Sequence, residues 1–128
     1  MPTTGSNPLN PVLPRAGNTD YVVLKYRALK EQGFKCLLCS EPGPKDLHHT
    51  FLRHSDLPGD RWDSRLGDRI ENVVMLHNKC HLDRGHSKDS DIAFAKFKIL
   101  QGHNLQVYFN EIRERFPWWS TSALEILP

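Results

Sequence analysis

The chain holds only three cysteines, and their spacing limits its possible folds more than any other feature. Cys36-Leu-Leu-Cys39 is a C-x-x-C pair, and His77-Asn-Lys-Cys80 is an H-x-x-C pair. Two thiolates spaced this way grip one ion, at about 2.3 Å each, and leave two tetrahedral positions open. At the start of a helix, residues i and i+3 share a face, so the second pair can fill both positions. The expected result is a Cys3His site for structural zinc that uses every cysteine. His81, four residues beyond His77, competes for the histidine place. Three cysteines cannot all pair within one chain. Met1–Asn10 is polar and Pro-rich rather than a signal sequence. A cytosolic, non-secreted setting is therefore expected, where cysteines more often bind metal than form disulfides.

At 128 residues the chain is read as one domain, 20–128, behind a flexible Pro-rich tail, 1–19. A core of that size is modest, which gives a structural metal weight. No apolar run approaches the roughly 20 residues needed to cross a bilayer, so no membrane partner is expected. The net charge of +2 is too small to argue for nucleic acid by itself. Residues 45–88 carry eight Lys and Arg against seven Asp and Glu, so any basic face must be made by folding.

The fold class read from the pattern is α+β. A helix is predicted from Tyr21 to about Gln32, capped by Thr19 or Asp20 and stopped by Gly33. Its apolar stripe is Val22, Tyr26 and Leu29, with Val23 and Phe34 nearby. Leu47–Leu52 and Val73–Leu76 are predicted strands. Residues 53–69 form a long polar loop, a kind of segment that is often functional. A helix over His77–Arg84 follows. Asp89–Leu100, capped by Ser90 or Asp89, and Asn104–Phe116, ended by Pro117, complete the chain.

Leu47-His-His-Thr-Phe-Leu-Arg53, then Glu71-Asn-Val-Val-Met-Leu76, then Cys80-His81, resembles the H-N-H endonuclease family over about residues 34–86. That family folds its site as two antiparallel strands and a helix around a metal, the ββα-metal motif, and many members add a zinc knuckle of two C-x-x-C pairs. In the family the second pair lies five and eight residues after the asparagine, with a histidine directly after the last cysteine. Here Asn72 is followed at those positions by His77 and Cys80, and then by His81. His77 stands where the family usually has cysteine, an exchange of one zinc ligand for another.

The resemblance implies that His48 and His81 ligate a catalytic divalent cation, that His49 is the general base, and that Asn72 orients the base by holding the loop between the strands. It also makes His86 a candidate third ligand. The implied activity is metal-dependent hydrolysis of DNA, with RNA as the alternative substrate, in a bacterial or phage-encoded protein. The cation is Mg2+, Mn2+ or another transition ion, and imidazole ligands favour the latter group.

The chemistry itself calls for these residue types. Water attacking a phosphodiester needs a base that titrates near neutral pH, which histidine supplies. A cation stabilises the charge on the phosphate and the leaving oxygen. Neighbours on a regular strand face opposite ways, so a distortion is expected where His48 and His49 serve one phosphate. Arg53 is a candidate phosphate contact. Asp46 shares a face with His48 and is placed to orient it. Arg61, Arg65, Arg69, Lys79 and Arg84 are candidates for backbone contacts. His54 and His103 read as ordinary surface histidines, and Trp118-Trp119 as packing rather than base stacking. Two other functions fit the same residues: a zinc module that binds nucleic acid or protein without cutting, and a zinc-stapled subunit of a larger assembly.

Overall fold

Two four-residue strands, β1 (Asp46–His49) and β2 (Val73–Leu76), pair antiparallel in a computed structural model that describes residues 17–59 and 61–127. Of the tail expected over residues 1–19, residues 1–16 lie outside the described residues, and 17–19 are helical rather than tail. The register sets Leu47 opposite Met75 and His48 opposite Val74. Directly opposed residues share a face, so the side-chain period of two sorts the sheet. Leu47, Val73 and Met75 pack with Ile70 against α1 (Gly17–Glu31). His48, Val74 and Leu76 face the C-terminal half. All four residues of β2 are therefore buried, and the strand reads as a continuous apolar run rather than an alternation.

The helix α1 begins at Gly17 and not at Tyr21, so Thr19 and Asp20 lie inside it and cannot cap it. The Asp20 carboxylate instead sits in the first turn, at the positive end of the helix dipole. The expected stripe is also displaced. Leu24 and Ala28, one turn apart, are the buried pair, while Val22, Val23 and Tyr26 are exposed. Strands of four residues offer a helix a narrow target, so of the expected stripe only Leu29, half-buried, reaches it beside that pair.

After α1 the chain reverses through Gly33 and Phe34, both at positive φ. The Gln32 side chain then pairs with β2 as a strand would: its carbonyl accepts from the Met75 N–H at 2.7 Å and its amide donates to the Met75 carbonyl at 2.9 Å. The strand β1 stops at His49, three residues before the expected Leu52. One more backbone bond follows, from the Thr50 N–H to the Asn72 carbonyl at 2.8 Å; the Asn72 side chain then takes the Phe51 and Leu52 N–H groups, and the pairing stops.

Residues 53–69 are more ordered than a plain loop, with a 3-10 turn at His54–Asp56 and a one-turn helix, α2 (Ser64–Gly67). Beyond β2 come α3 (Asn78–Arg84), α4 (Lys88–Leu100) and α5 (Leu105–Arg115), then a 3-10 segment at Ser122–Ile126. Ser87, not Ser90 or Asp89, caps α4, accepting from the Ser90 N–H at 3.0 Å. Asn104 caps α5 through Val107 N–H. The main core joins Phe51, Leu52, Val74 and Leu76 of the hairpin region to Phe94, Tyr108, Phe109 and Ile112 of these helices. Trp119 seals it, buried against Phe109 and donating to the Phe51 carbonyl at 3.2 Å. Trp118 does not pack in the same way and remains 58% exposed.

Ile99 and Leu100 end α4 in solvent, while Lys98 turns inward and is fully buried. Glu31 explains the inversion: it meets Lys98 Nζ at 2.6 Å and His103 Nε2 at 2.6 Å. One carboxylate thus joins the end of α1 to both ends of the α4–α5 turn, and His103 is a structural residue rather than an ordinary surface one. Breaking a buried pair strands the remaining charge. Lys98→Ala is expected to cost about 3 kcal/mol in urea unfolding, and Lys98→Met clearly less, because it keeps the buried side-chain volume.

Candidate functional site

The knuckle between α1 and β1 is a tight turn, closed by a bridge between Lys35 and Pro42 and by the Cys36 N–H donating to the Glu41 carbonyl. It brings Cys36 and Cys39 to the start of α3, where His77 and Cys80 stand. The ligand atoms of these four residues all lie within 4.8 Å of one another, close enough to hold a metal such as zinc. The donor set also fits. His77 Nε2 lies 2.9 Å from the Pro42 carbonyl, which assigns the proton to Nε2 and leaves Nδ1, 3.1 Å from Cys39 Sγ, as the ligand atom. The Glu41 backbone holds the Cys39 thiol below its ordinary pKa, while burial pushes Cys80 up. His77, not His81, completes the cysteine cluster.

His81 lies one turn further along α3 and belongs to a second group. The ligand atoms of His48, His81 and His86 also lie within 4.8 Å of one another. The ring of His48 is 4.9 Å from that of His81 and 4.6 Å from that of His86. Gly85 makes this possible by ending α3 so closely that an added Cβ would stand 2.6 Å from the His81 carbonyl oxygen. His48 is buried, and neither of its ring nitrogens has a hydrogen-bond partner among the described residues. Burial, followed by the neighbouring His86 and His81, drives its pKa down to about 2, so it is neutral at any physiological pH. A neutral imidazole has one N–H and one lone pair, and the lone pair is costly to bury unless something takes it, as a cation does. Asp46, expected to orient His48, contacts His81 instead: its Oδ2 is 3.3 Å from His81 Nδ1 and accepts from Asn78 at 3.0 Å. The Asn78 amide, and after it His81, holds the Asp46 carboxyl below the usual range. That contact leaves His81 Nε2 for the cluster.

The distortion of the strand expected at His48 and His49 is not what brings them together. No bulge interrupts the pairing, whose register stays regular through His49, and both histidines nevertheless line one cavity of about 280 Å³ together with Arg53, His54, His81 and His86. His49 Nε2 lies 2.7 Å from Asp68 Oδ1. A carboxylate only accepts, so the proton sits on Nε2 and the lone pair on Nδ1. The His49 ring also meets Trp62 edge-on at 4.8 Å, and Trp62 stacks on His54 at 3.9 Å. His54 is therefore part of the wall rather than an ordinary surface residue. Trp62 in turn lies so close to Gly67 that a Cβ there would stand 2.1 Å from its ring.

Asn72 fixes this arrangement. Its Oδ1 accepts from Phe51 and Leu52, and its Nδ2 donates to the Leu52 and Gly67 carbonyls at 2.9 Å each. Arg53 reaches the cavity with its guanidinium already tied: Nη2 donates to both Asp91 oxygens at 2.6 and 2.7 Å, and Nε to the Thr50 carbonyl at 3.0 Å. Arg69 is held by Glu71 and Glu111, and Lys79 by Asp83. Asp68, Asp91 and Trp62 carry no sequence signal of their own. No motif marks them, and each reaches the site from a different segment.

Comparison of the chain with protein-family models, with curated proteins and with solved structures finds no match in any of the three. The geometry alone divides the ligands, and metal analysis of purified variants checks that division. Cys36→Ala and Cys80→Ala are expected to lose zinc and melt early. His81→Ala should keep both zinc and melting temperature, and His77→Cys should keep zinc. Zinc lost from His81→Ala would contradict the assignment. Asn72→Ala strands two buried N–H groups and two carbonyls, and should cost about 2–4 kcal/mol in urea unfolding.

Proposed function

We propose that the chain is a metal-dependent nuclease of the H-N-H type, hydrolysing phosphodiester bonds in DNA, with β1, β2 and α3 as its ββα-metal unit. One observation carries this reading: three imidazoles converge on a common point while a fourth, aligned by a carboxylate, lines the same cavity. A structural metal site has no use for the fourth histidine or for open space beside it.

In this reading His48, His81 and His86 hold a catalytic divalent cation. When bound, the cation would stabilise negative charge on the phosphate and the leaving oxygen. His49 takes the proton of the attacking water on Nδ1, since Nε2 is committed to Asp68. Asp68 fixes the tautomer and stabilises the imidazolium that forms, as the carboxylate of a catalytic triad does. Asn72 keeps the chain on either side of the cavity at a set distance, and so keeps His49 on Asp68. Arg53 turns toward the phosphate with Nη1, the one guanidinium nitrogen without a protein partner among the described residues.

Incubation of the purified protein with supercoiled plasmid tests this. Nicked or linear product is expected with added Mg, Mn or Ni and none with EDTA. His49→Ala should slow cleavage by about 10²-fold or more while zinc content and melting temperature stay near wild type. Asp68→Asn should lower the maximal rate and leave plasmid affinity unchanged. A wild-type protein that binds plasmid but cuts it with no cation would instead be a non-cleaving zinc module.

A further inference from the structure

Trp62, which packs against His54 and His49, also lines a second, larger cavity of about 720 Å³. Arg61, Arg65 and Arg115 line it, with Trp62, Phe116 and Trp118 as its aromatic surfaces. All three arginines are exposed, and Arg61 and Arg65 form no ion pair among the described residues. The one acid in the lining, Asp63, is engaged. Its Oδ1 caps α2 by accepting from the Arg65 N–H, and its Oδ2 lies 3.7 Å from Arg115 Nε. Trp118 leans on Phe116 at 5.7 Å and leaves most of its ring in solvent. The sequence is nearly neutral, yet folding gathers a local excess of positive charge here, beside the exposed ring of Trp118.

Guanidinium groups beside an open indole face are recognition chemistry for nucleic acid whose bases are unstacked. Arginine reads phosphate through its fork of N–H donors, and an indole stacks on any base that has lost its neighbour. A paired, stacked duplex presents no free base face to an indole. We propose that this groove binds a single-stranded segment of the substrate beside the scissile bond. Its phosphates would lie on Arg61, Arg65 and Arg115, and one unpaired base on Trp118. The assignment of the strand to a cleavage substrate rests on the nuclease reading. Trp62 gives that link a physical basis, since its ring lies 4.8 Å from His49 and also walls the groove.

Fluorescence anisotropy of a labelled oligothymidine, and of a duplex of equal length, measured with the full zinc-loaded chain in the absence of a cleavage cation, tests the groove. Trp118→Ala is expected to weaken single-strand binding about tenfold and duplex binding little, with Trp118→Phe restoring most of the loss. Arg61→Ala with Arg65→Ala should flatten the dependence of log K on log salt by about 1.4, or about 0.7 for each phosphate left without its arginine. Melting temperatures should not move, because the altered side chains are exposed. Single-strand binding by Trp118→Ala at wild-type strength overturns the groove, and equal weakening toward the duplex overturns its preference for an unpaired strand. If the wild type cuts plasmid while these variants bind as it does, the groove fails and the nuclease reading stands. If the groove binds as expected but no cation supports cutting, the nuclease reading fails alone.

Discussion

A single carboxamide holds the histidine-bearing half of the molecule in register. Asn72 stands just before β2, and its four hydrogen bonds reach the exit of β1 and the end of α2. Three segments that share no regular element therefore meet at one fully buried side chain. Each bond satisfies a backbone group that would otherwise be buried without a partner. The bonds also take the N–H groups where the pairing stops, just after the two neighbouring histidines that line a common cavity. An aspartate in that place would keep the acceptors but lose both donors, and a leucine would lose everything.

The two groups of ligands are mechanically joined. His77 and His81 stand one turn apart on α3, so the same short helix serves both, and β2 leads straight into it. A seven-residue helix is too short to persist by itself. Its position depends on what grips its first turn, which is the Cys3His cluster. The knuckle thus does more than supplement a small core: it sets where the second histidine triad forms.

The parts legible in the sequence were those that depend on local spacing. The two x-x pairs, the apolar run of β2, and the helix stops at Gly33 and Pro117 each follow from a few adjacent residues. Whether His77 or His81 joins the cysteines turned on the direction of α3 relative to the knuckle, which spacing alone leaves open. The misplaced stripe of α1 has a different cause. Periodicity shows that a helix has an apolar side but not how wide a partner it meets, and this hairpin is narrow. Lys98 at a buried position is readable only once Glu31, far away in sequence, is known to face it. Asp68 and Asp91, which hold His49 and Arg53, were invisible for the same reason, since an acid in a polar loop looks like any other until the loop is folded. Trp118 and Trp119 looked like one feature and are two, because the chain turns between them.

Gln32 has a role that its place at the end of α1 conceals. A sheet of two strands has two open edges, and each row of free N–H and C=O groups is a template for another chain. On the outer edge of β2 the Met75 N–H and carbonyl are both occupied by the Gln32 carboxamide, with the Leu37 N–H adding a longer contact to the same carbonyl. The side chain imitates one residue of a third strand and then stops, offering nothing onward to pair with. Such a mimic closes an edge without extending it, so this small sheet resists intermolecular strand addition there through one amide rather than through a covering element.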